Sequence, residues 1–212
     1  MKFQKIHMET WERAEIFRHF IEELRCVMNI TVQVDITRFL QKMQDRGWKF
    51  YPAMIWVVSA ALNSRPEFRM GYDEQGNVGI WDEIYPYYAH FYPEDQHFAK
   101  LVTPYAAEPE VFYQRFLEDM ERYKNCRGFD VQDIPPNTFD VSCLPWNHYQ
   151  SFDMHIFDEG TYLAPVVTWG KYQPDAQGKI QLPLTLNIHH AVADGFHLCR
   201  FFQDVETFME HI

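Results

Sequence analysis

The chain has 212 residues, of which 47% are hydrophobic and 23% charged, and its formal net charge is -11. This composition is that of a globular protein and excludes a mainly disordered chain. Nucleic acids and anionic membranes are bound by basic surfaces, so a chain this acidic is expected to bind neither. The longest apolar stretch, Tyr51–Leu62, is too short to span a bilayer.

The start of the chain, its lack of linkers and its cysteines indicate the compartment and the number of domains. The start of the chain, Met1–His7, has no apolar signal core, so no secretion signal is predicted. No repeat or Gly/Ser linker divides the sequence, and one domain over residues 1–212 is expected. The cysteines include no Cys-x-x-Cys pair, which argues against a zinc or redox motif and favours reduced thiols in the cytoplasm. They are Cys26, Cys126, Cys143 and Cys199.

The first quarter of the chain is predicted to be mostly helical. A helix is expected over about Trp11–Arg25, with Thr10 as its N-cap. Ile30–Val34 alternates apolar and polar residues, which is typical of a strand. A second helix is predicted over Thr37–Gly47, capped by its threonine, and a third over Pro52–Asn63, with the proline in its first turn.

The middle of the chain is predicted to contain several strands and one helix. Arg69–Tyr72 and Val78–Trp81 flank the turn residues Asp73–Asn77 and therefore predict a hairpin. Val111–Lys124 has the apolar spacing of a helix. Further strands are predicted at Tyr87–Tyr92, His97–Thr103, Phe139–Cys143 and Phe152–Ile156.

The last third is predicted to form a long hairpin followed by a helix. Ala164–Tyr172 and Ile180–His190 pair through the turn Pro174–Gly178, and the final helix begins near Asp194. Helices intermixed with many antiparallel strands indicate the α/β class in its loose sense, or α+β. The predicted architecture is a mixed β-sheet covered by helices.

A pair of histidines ends the last predicted strand, in the run His189-His190-Ala191-Val192-Ala193-Asp194-Gly195. If the strand persists, His190 continues the apolar row of Leu182–Ile188, and His189 belongs to the polar row on the other face. His190 is then the shielded histidine, suited to act as a base. Asp194 is a natural N-cap for the helix that follows.

Two other interpretations of these histidines were open from the residues alone. A buried histidine at a strand end is more often structural than catalytic. A metal site could use His190, Asp194 and His197, but adjacent histidines on opposite faces do not easily share one ion. No metal is therefore expected.

The histidine run resembles the active-site signature of the chloramphenicol acetyltransferase family, which dihydrolipoyl acyltransferase cores share more loosely. The resemblance extends from Trp11 to the last helix, and further matching stretches occur in the same order. These stretches are Lys49-Phe50-Tyr51-Pro52, Pro66-Glu67-Phe68-Arg69-Met70, Ile80-Trp81-Asp82, Ser142 with Pro145-Trp146, Ser151-Phe152-Asp153, Ala164-Pro165 with Thr168, and Gly170-Lys171-Tyr172.

The resemblance implies a CoA-dependent acyltransferase fold, a two-layer sandwich, and direct acetyl transfer from acetyl-CoA to a hydroxyl group. It implies that His190 is the general base, that Ser142 stabilises the oxyanion, and that Thr168 assists through water. Asp194 would pair with Arg13 and hold the turn. No Gly-x-Ser-x-Gly elbow surrounds Ser142, so an acyl-enzyme is not expected.

The resemblance also implies ligand contacts and an assembly: a homotrimer with sites at subunit interfaces. The residues expected to contact CoA are Lys49, Tyr51, Trp146, Lys171 and Tyr172. The residues expected to line the acceptor pocket are Phe20, Leu24, Cys26, Phe98, Phe152, Met154 and Ile156.

Two segments depart from the family pattern, Tyr88–Tyr92 and Asp95–Ala99. Chloramphenicol is therefore the expected acceptor, and another hydroxyl compound is the alternative. A dihydrolipoyl acyltransferase is disfavoured, because 212 residues leave no room for lipoyl or subunit-binding domains. A trimeric binding protein without activity is the alternative of another class.

Overall fold

The computed structural model describes residues 2–156 and 159–212. Helices and strands are intermixed along it, with two runs of four successive strands. The helices are α1 Ala14–Arg18, α2 Thr37–Arg46, α3 Phe50–Asn63, α4 Pro109–Tyr123 and α5 Gly195–His211. The strands are β1 Phe3–Lys5, β2 Val27–Asp35, β3 Met70–Tyr72, β4 Val78–Trp81, β5 Tyr85–Tyr92, β6 His97–Val102, β7 Thr138–Leu144, β8 Val166–Gly170, β9 Gln173–Pro174 and β10 Ile180–His189.

The strands form one large sheet and one small sheet. The large sheet has the order β2-β10-β8-β7-β5-β6, and the short strand β9 also pairs with β10. Strand β7 is parallel to β5 and to β8, whereas the other neighbours in this sheet are antiparallel. The small sheet has the order β1-β4-β3. The predicted mixed sheet is confirmed.

One face of the large sheet carries the core. The apolar row of β10 is fully buried, including Leu184 and Leu186, and it shares one hydrophobic cluster with α3 and α5. Helix α3 is apolar on nearly every side and is buried along most of its length, as expected for a helix surrounded by other elements. The opposite face of β10 presents Thr185, Asn187 and His189. This two-layer arrangement leaves a polar sheet face for a site.

Two helix predictions differ from the structure at their starts. Helix α1 begins only at Ala14, and Thr10 is not its N-cap, because the Thr10 hydroxyl donates to the carbonyl of His7 at 3.3 Å. A π-helical turn, His19–Glu23, follows α1 directly. Thr37 is the first residue of α2 and not its cap, since both its N–H and its hydroxyl donate to Asp35.

The predicted strand Phe152–Ile156 is wrong. The segment joins no sheet, because side chains of β2 and β10 bond its backbone instead of a neighbouring strand. Asn29 Nδ2 donates to the Phe152 carbonyl at 2.7 Å, and Asn187 Nδ2 donates to the Met154 carbonyl at 3.0 Å. The segment therefore lies across the polar face of the sheet.

Candidate active site

Strand β10 ends at His189, one residue before the predicted end, so strand alternation does not reach His190. The more deeply buried of the two histidines is His189, at 1% exposure, and His190 is only partly buried. Nδ1 of His189 accepts a hydrogen bond from the Ala191 N–H at 3.1 Å. The prediction that alternation continues to His190 and makes it the shielded histidine of the pair is therefore wrong.

The ring of His190 is held from two sides. It stacks on Phe20, with ring centroids 3.9 Å apart and planes 15° from parallel, and Phe20 belongs to the π-helical turn. Nδ1 lies 3.1 Å from the carbonyl oxygen of Ala193. A carbonyl can only accept, so Nδ1 carries the proton, and in the neutral ring Nε2 is left as a free acceptor. A general base that acts through Nε2 requires this tautomer.

Asp194 is the N-cap of α5, as predicted, and forms a capping box with His197. Its carboxylate accepts from the Phe196 N–H at 3.1 Å, and Oδ2 lies 3.3 Å from Nη1 of Arg13. Partial burial alone would raise the pKa of Asp194. The charge of His197 and the hydrogen bond from Arg13 outweigh that effect, and the pKa is lowered.

Replacing Asp194 with asparagine is expected to remove the ion pair with Arg13 and to keep the helix cap. The two side chains are 28% and 37% exposed, so we expect a loss of only about 1 kcal/mol in the free energy of unfolding. The carboxyl pKa is lowered in the folded state. The stability difference should therefore be complete at neutral pH and should disappear as the pH falls below the ordinary carboxyl value of about 3.9.

Urea denaturation of both proteins at a series of pH values measures this difference. The exposed Asp133→Asn exchange is the control and should change the midpoint little at any pH. A difference between wild type and Asp194→Asn that persists at pH values well below the ordinary carboxyl pKa would contradict the assigned ion pair.

Ser142 and Thr168 lie side by side on the polar face of the large sheet. They are register partners across β7 and β8, and Thr168 is in turn the register partner of Thr185 on β10. The row continues to Thr31 on β2, whose hydroxyl lies 2.8 Å from that of Thr185. Tyr149 covers the row, with its hydroxyl donating to the Thr168 carbonyl at 2.9 Å.

His190 is far from Ser142 within one chain. Along β10, His190 lies five residues beyond Thr185, the register partner of Thr168, which corresponds to about 17 Å of strand. Ser142 lies two strands away from β10, about 10 Å to the side. These separations exceed the reach of a histidine side chain, so the two residues do not form one site in a single chain.

Most residues expected to contact CoA lie at one end of the large sheet, the edge formed where the parallel strands β7 and β8 end. Trp146 follows β7 and is 64% exposed, and Lys171 and Tyr172 follow β8. The ring of Tyr172 contacts Phe50 at 5.4 Å, so the segments that carry the exposed Lys49 and Lys171 meet.

Tyr51 lies behind this edge, inside the chain, and its hydroxyl donates to the carbonyl of Ala89 at 2.9 Å. Burial raises the pKa of Tyr51 well above its ordinary value, so its hydroxyl remains a neutral donor. Its ring lies 5.8 Å from that of Trp169 on β8. Tyr51 therefore supports the edge from the core side.

The residues expected to line the acceptor pocket divide into groups. Phe20 stacks on His190, and the Cys26 carbonyl accepts from the His190 N–H at 2.8 Å. Phe152 and Met154 lie over β2 and β10 through the hydrogen bonds given above. Phe98 is on the edge strand β6, at the opposite end of the large sheet from β2. The remaining two, Leu24 and Ile156, are exposed.

Three side chains around the site were not among the predicted site residues: Thr31, Thr185 and Tyr149. The two threonines were visible on polar positions of the strands, but only the register shows that they extend the row of Ser142. Tyr149 lies in a loop with no local pattern.

Within residues 2–156 and 159–212, no group of three or more His, Cys, Asp or Glu side chains is placed to hold a metal ion. In the same residues, no helix combines the length and apolar character of a membrane span.

Comparison with known proteins identifies relatives along the whole chain. The model of the chloramphenicol acetyltransferase family matches residues 1–206. A chloramphenicol acetyltransferase of Clostridium perfringens is 36% identical over 208 residues, covering 97% of this chain and 94% of the relative. One of Vibrio anguillarum is 34% identical and covers 100% of this chain and 96% of the relative.

Solved structures give the same result. A chloramphenicol acetyltransferase structure superposes with a TM-score of 0.82 at 25% identity, covering 98% of this chain and all of the other. The dihydrolipoamide acetyltransferase of Azotobacter vinelandii shares the fold, with a TM-score of 0.64 at 14% identity and 87% and 81% of the two chains covered. The predicted CoA-dependent acyltransferase fold is confirmed. The chain is an acyltransferase and belongs to the chloramphenicol acetyltransferase family.

Proposed function

We propose that this protein transfers the acetyl group of acetyl-CoA directly to a hydroxyl group of chloramphenicol. Nε2 of His190 removes the proton of the acceptor hydroxyl, and the oxygen attacks the thioester carbonyl. The Ser142 hydroxyl donates to the oxyanion of the tetrahedral intermediate, with Thr168 beside it. When the C–S bond breaks, the imidazolium returns its proton to the departing CoA thiolate. No metal takes part.

The observation that carries this proposal is the tautomer of His190. Its Nδ1 proton is bound to the Ala193 carbonyl, and Phe20 covers one face of the ring, so Nε2 has a fixed direction and a free lone pair. A base that is oriented before the substrate arrives loses little entropy on reaching the transition state. Arg13 and Asp194 support this arrangement through the turn that carries the Ala193 carbonyl.

We further propose that the working unit is a homotrimer in which each site lies between two subunits. His190, Phe20 and Cys26 would come from one subunit, and Ser142, Thr168 and Phe98 from its neighbour. The long separation of His190 from Ser142 in one chain supports this arrangement. The exposure of Leu24, Phe98 and Trp146, at 58%, 49% and 64%, supports it also, because large apolar side chains at a surface are typical of interfaces.

Mixing two inactive variants tests the shared site. His190→Ala and Ser142→Ala chains, co-expressed in equal amounts, assemble into mixed trimers. Some interfaces then join an intact His190 to an intact Ser142. For random assembly we expect recovery of about a quarter of the wild-type turnover. Turnover of the mixture no higher than the mean of the two separate variants would contradict a shared site.

The CoA phosphates are proposed to bind Lys49 and Lys171, which supply local positive charge in an acidic chain. Replacing Lys171 with alanine is expected to raise KM for acetyl-CoA about 3- to 10-fold, because exposed charge contacts contribute modestly to binding. KM for chloramphenicol should not change. Initial rates at varied concentrations of each substrate measure both constants, with the exposed Lys124→Ala as control. An unchanged KM for acetyl-CoA would remove Lys171 from the CoA site.

A different hydroxyl acceptor on the same machinery is the second candidate. It is favoured by the two segments that depart from the family pattern, which form the β5–β6 hairpin carrying Phe98. Thiol release from acetyl-CoA, with and without chloramphenicol, decides between the two. Release with another alcohol but not with chloramphenicol would replace the acceptor and keep the chemistry. No release with any alcohol would favour a binding protein.

The cytoplasm is the proposed compartment. The four cysteines are all free thiols, including the exposed Cys199. Free exposed thiols persist where the surroundings are reducing, and acetyl-CoA is available there.

A further inference from the structure

One peptide unit in the turn after β10 is held at both of its polar atoms. The carbonyl oxygen of Ala193 accepts from Nδ1 of His190 at 3.1 Å. The N–H of the same peptide, which belongs to Asp194, donates to Nδ1 of His197 at 3.2 Å. The two histidine rings are therefore connected through the Ala193–Asp194 peptide.

When the ring of His197 is neutral, its acceptor role fixes its tautomer. A ring nitrogen that accepts from an N–H carries no proton, so the proton of the neutral ring is on Nε2. That nitrogen faces the carboxylate of Glu67, with 3.9 Å between Nε2 and Oε1. Both side chains are largely buried, at 19% and 15% exposure. The negative charge of Glu67 favours a proton on the nitrogen that faces it.

We propose that His197 is a positioning residue for the base, and that Glu67 supports it. By holding the Asp194 N–H, His197 keeps the Ala193 carbonyl aimed at Nδ1 of His190 and so keeps Nε2 of His190 unprotonated. Hydrogen bonds arranged in series through one peptide also polarise one another, which strengthens the bond to His190. The inference rests on the proposed role of His190 as the base.

A competing arrangement uses the same atoms differently. Nδ1 of His197 also lies 2.9 Å from Oδ1 of Asp194. A protonated ring would donate to that carboxylate and would leave the Asp194 N–H without this acceptor. In that arrangement His197 is an ion-pair partner of Asp194 and has no connection to His190. The two arrangements predict different behaviour for a neutral replacement that can accept a hydrogen bond.

Two replacements of His197 separate the arrangements. Glutamine at this third helical position is the usual partner in a capping box, because its side-chain oxygen accepts from the N-cap N–H. Leucine has similar bulk but no acceptor. We expect His197→Leu to lower kcat about 10-fold or more, as for other histidines whose tautomer is lost, with KM for chloramphenicol within about 2-fold. His197→Gln should keep kcat close to wild type.

The tautomer of His190 can be observed directly, in the resting trimer, from the nitrogen-15 shifts of its ring. The signals are assigned by their loss in His190→Gln. We expect Nδ1–H in wild type and in His197→Gln, and a shift towards Nε2–H in His197→Leu. Equal kcat loss in both replacements, or an unchanged His190 tautomer in His197→Leu, would overturn the proposal. If His190→Ala retained full turnover, the proposed base would be wrong, but the tautomer measurement would still report on His197.

Discussion

Replacing His190 with alanine is expected to lower kcat for acetyl transfer about 10²- to 10⁴-fold. The exchange removes the group proposed to accept the hydroxyl proton in the transition state. An alcohol that keeps its proton is a poor nucleophile towards a thioester. Acetyl-CoA binding should change little, because Lys171 and Tyr172 lie beside the end of β10 that is remote from His190. Thiol release at saturating substrates, and the separate Kd for acetyl-CoA, measure the two effects.

The fold of this variant should be nearly unchanged. His190 is partly buried at the end of a strand and contributes one side-chain hydrogen bond, whose loss costs about 1 kcal/mol. His211→Ala at the end of α5 is the matched control, since it removes an imidazole that is distant from the turn. Turnover of His190→Ala equal to that of the control would show that another group is the base.

Replacing Ser142 with alanine is expected to lower kcat about 10²- to 10³-fold, the usual loss when one oxyanion donor is removed. The Ser142 hydroxyl makes no hydrogen bond with the rest of the described chain, so it is free to donate to a bound intermediate. The substrate carbonyl is a weaker acceptor than the oxyanion. The effect should therefore fall on kcat, with little change in KM.

Ser151→Ala provides the matched control for this experiment. Ser151 is exposed, lies near the same sheet face, and is close to Phe152. We expect it to retain turnover within about 2-fold, as is usual for surface exchanges. A Ser142→Ala loss that appears in KM for acetyl-CoA and leaves kcat intact would assign the hydroxyl to binding and not to the oxyanion.

Local chemistry explains which elements could be predicted. The turn Asp73–Asn77, the left-handed Gly47 that ends α2, and the Asp194 cap each depend on residues within one turn of the chain. Elements that depend on distant partners were missed. Strand β1, Phe3–Lys5, exists because β4 offers it an edge, and no local pattern indicates that pairing.

The candidate site shows the same limit. The identities of His190, Ser142 and Asp194 came from a sequence signature. The distances between these residues in one chain could not be predicted from that signature, because they depend on the register that aligns Thr168 with Thr185. The end of β10 at His189 could not be predicted either, because apolar alternation continues through Ile188 and does not indicate where the strand ends. The resemblance therefore named the groups and implied sites between subunits, and the sheet shows how far apart the groups lie within one chain.

The attachment of the segment Phe152–Ile156 has a consequence for how this enzyme could change over evolutionary time. Its anchors, Asn29 and Asn187, donate to main-chain carbonyls, and the side chain of the segment that Asn187 also reaches is Asp153, not a pocket residue. Exchanges at the proposed pocket positions Phe152, Met154 and Ile156 would therefore leave the backbone where it is. If this segment is the pocket wall, selection could change the acceptor one side chain at a time, while the proposed acid–base chemistry of the histidine turn is inherited unchanged.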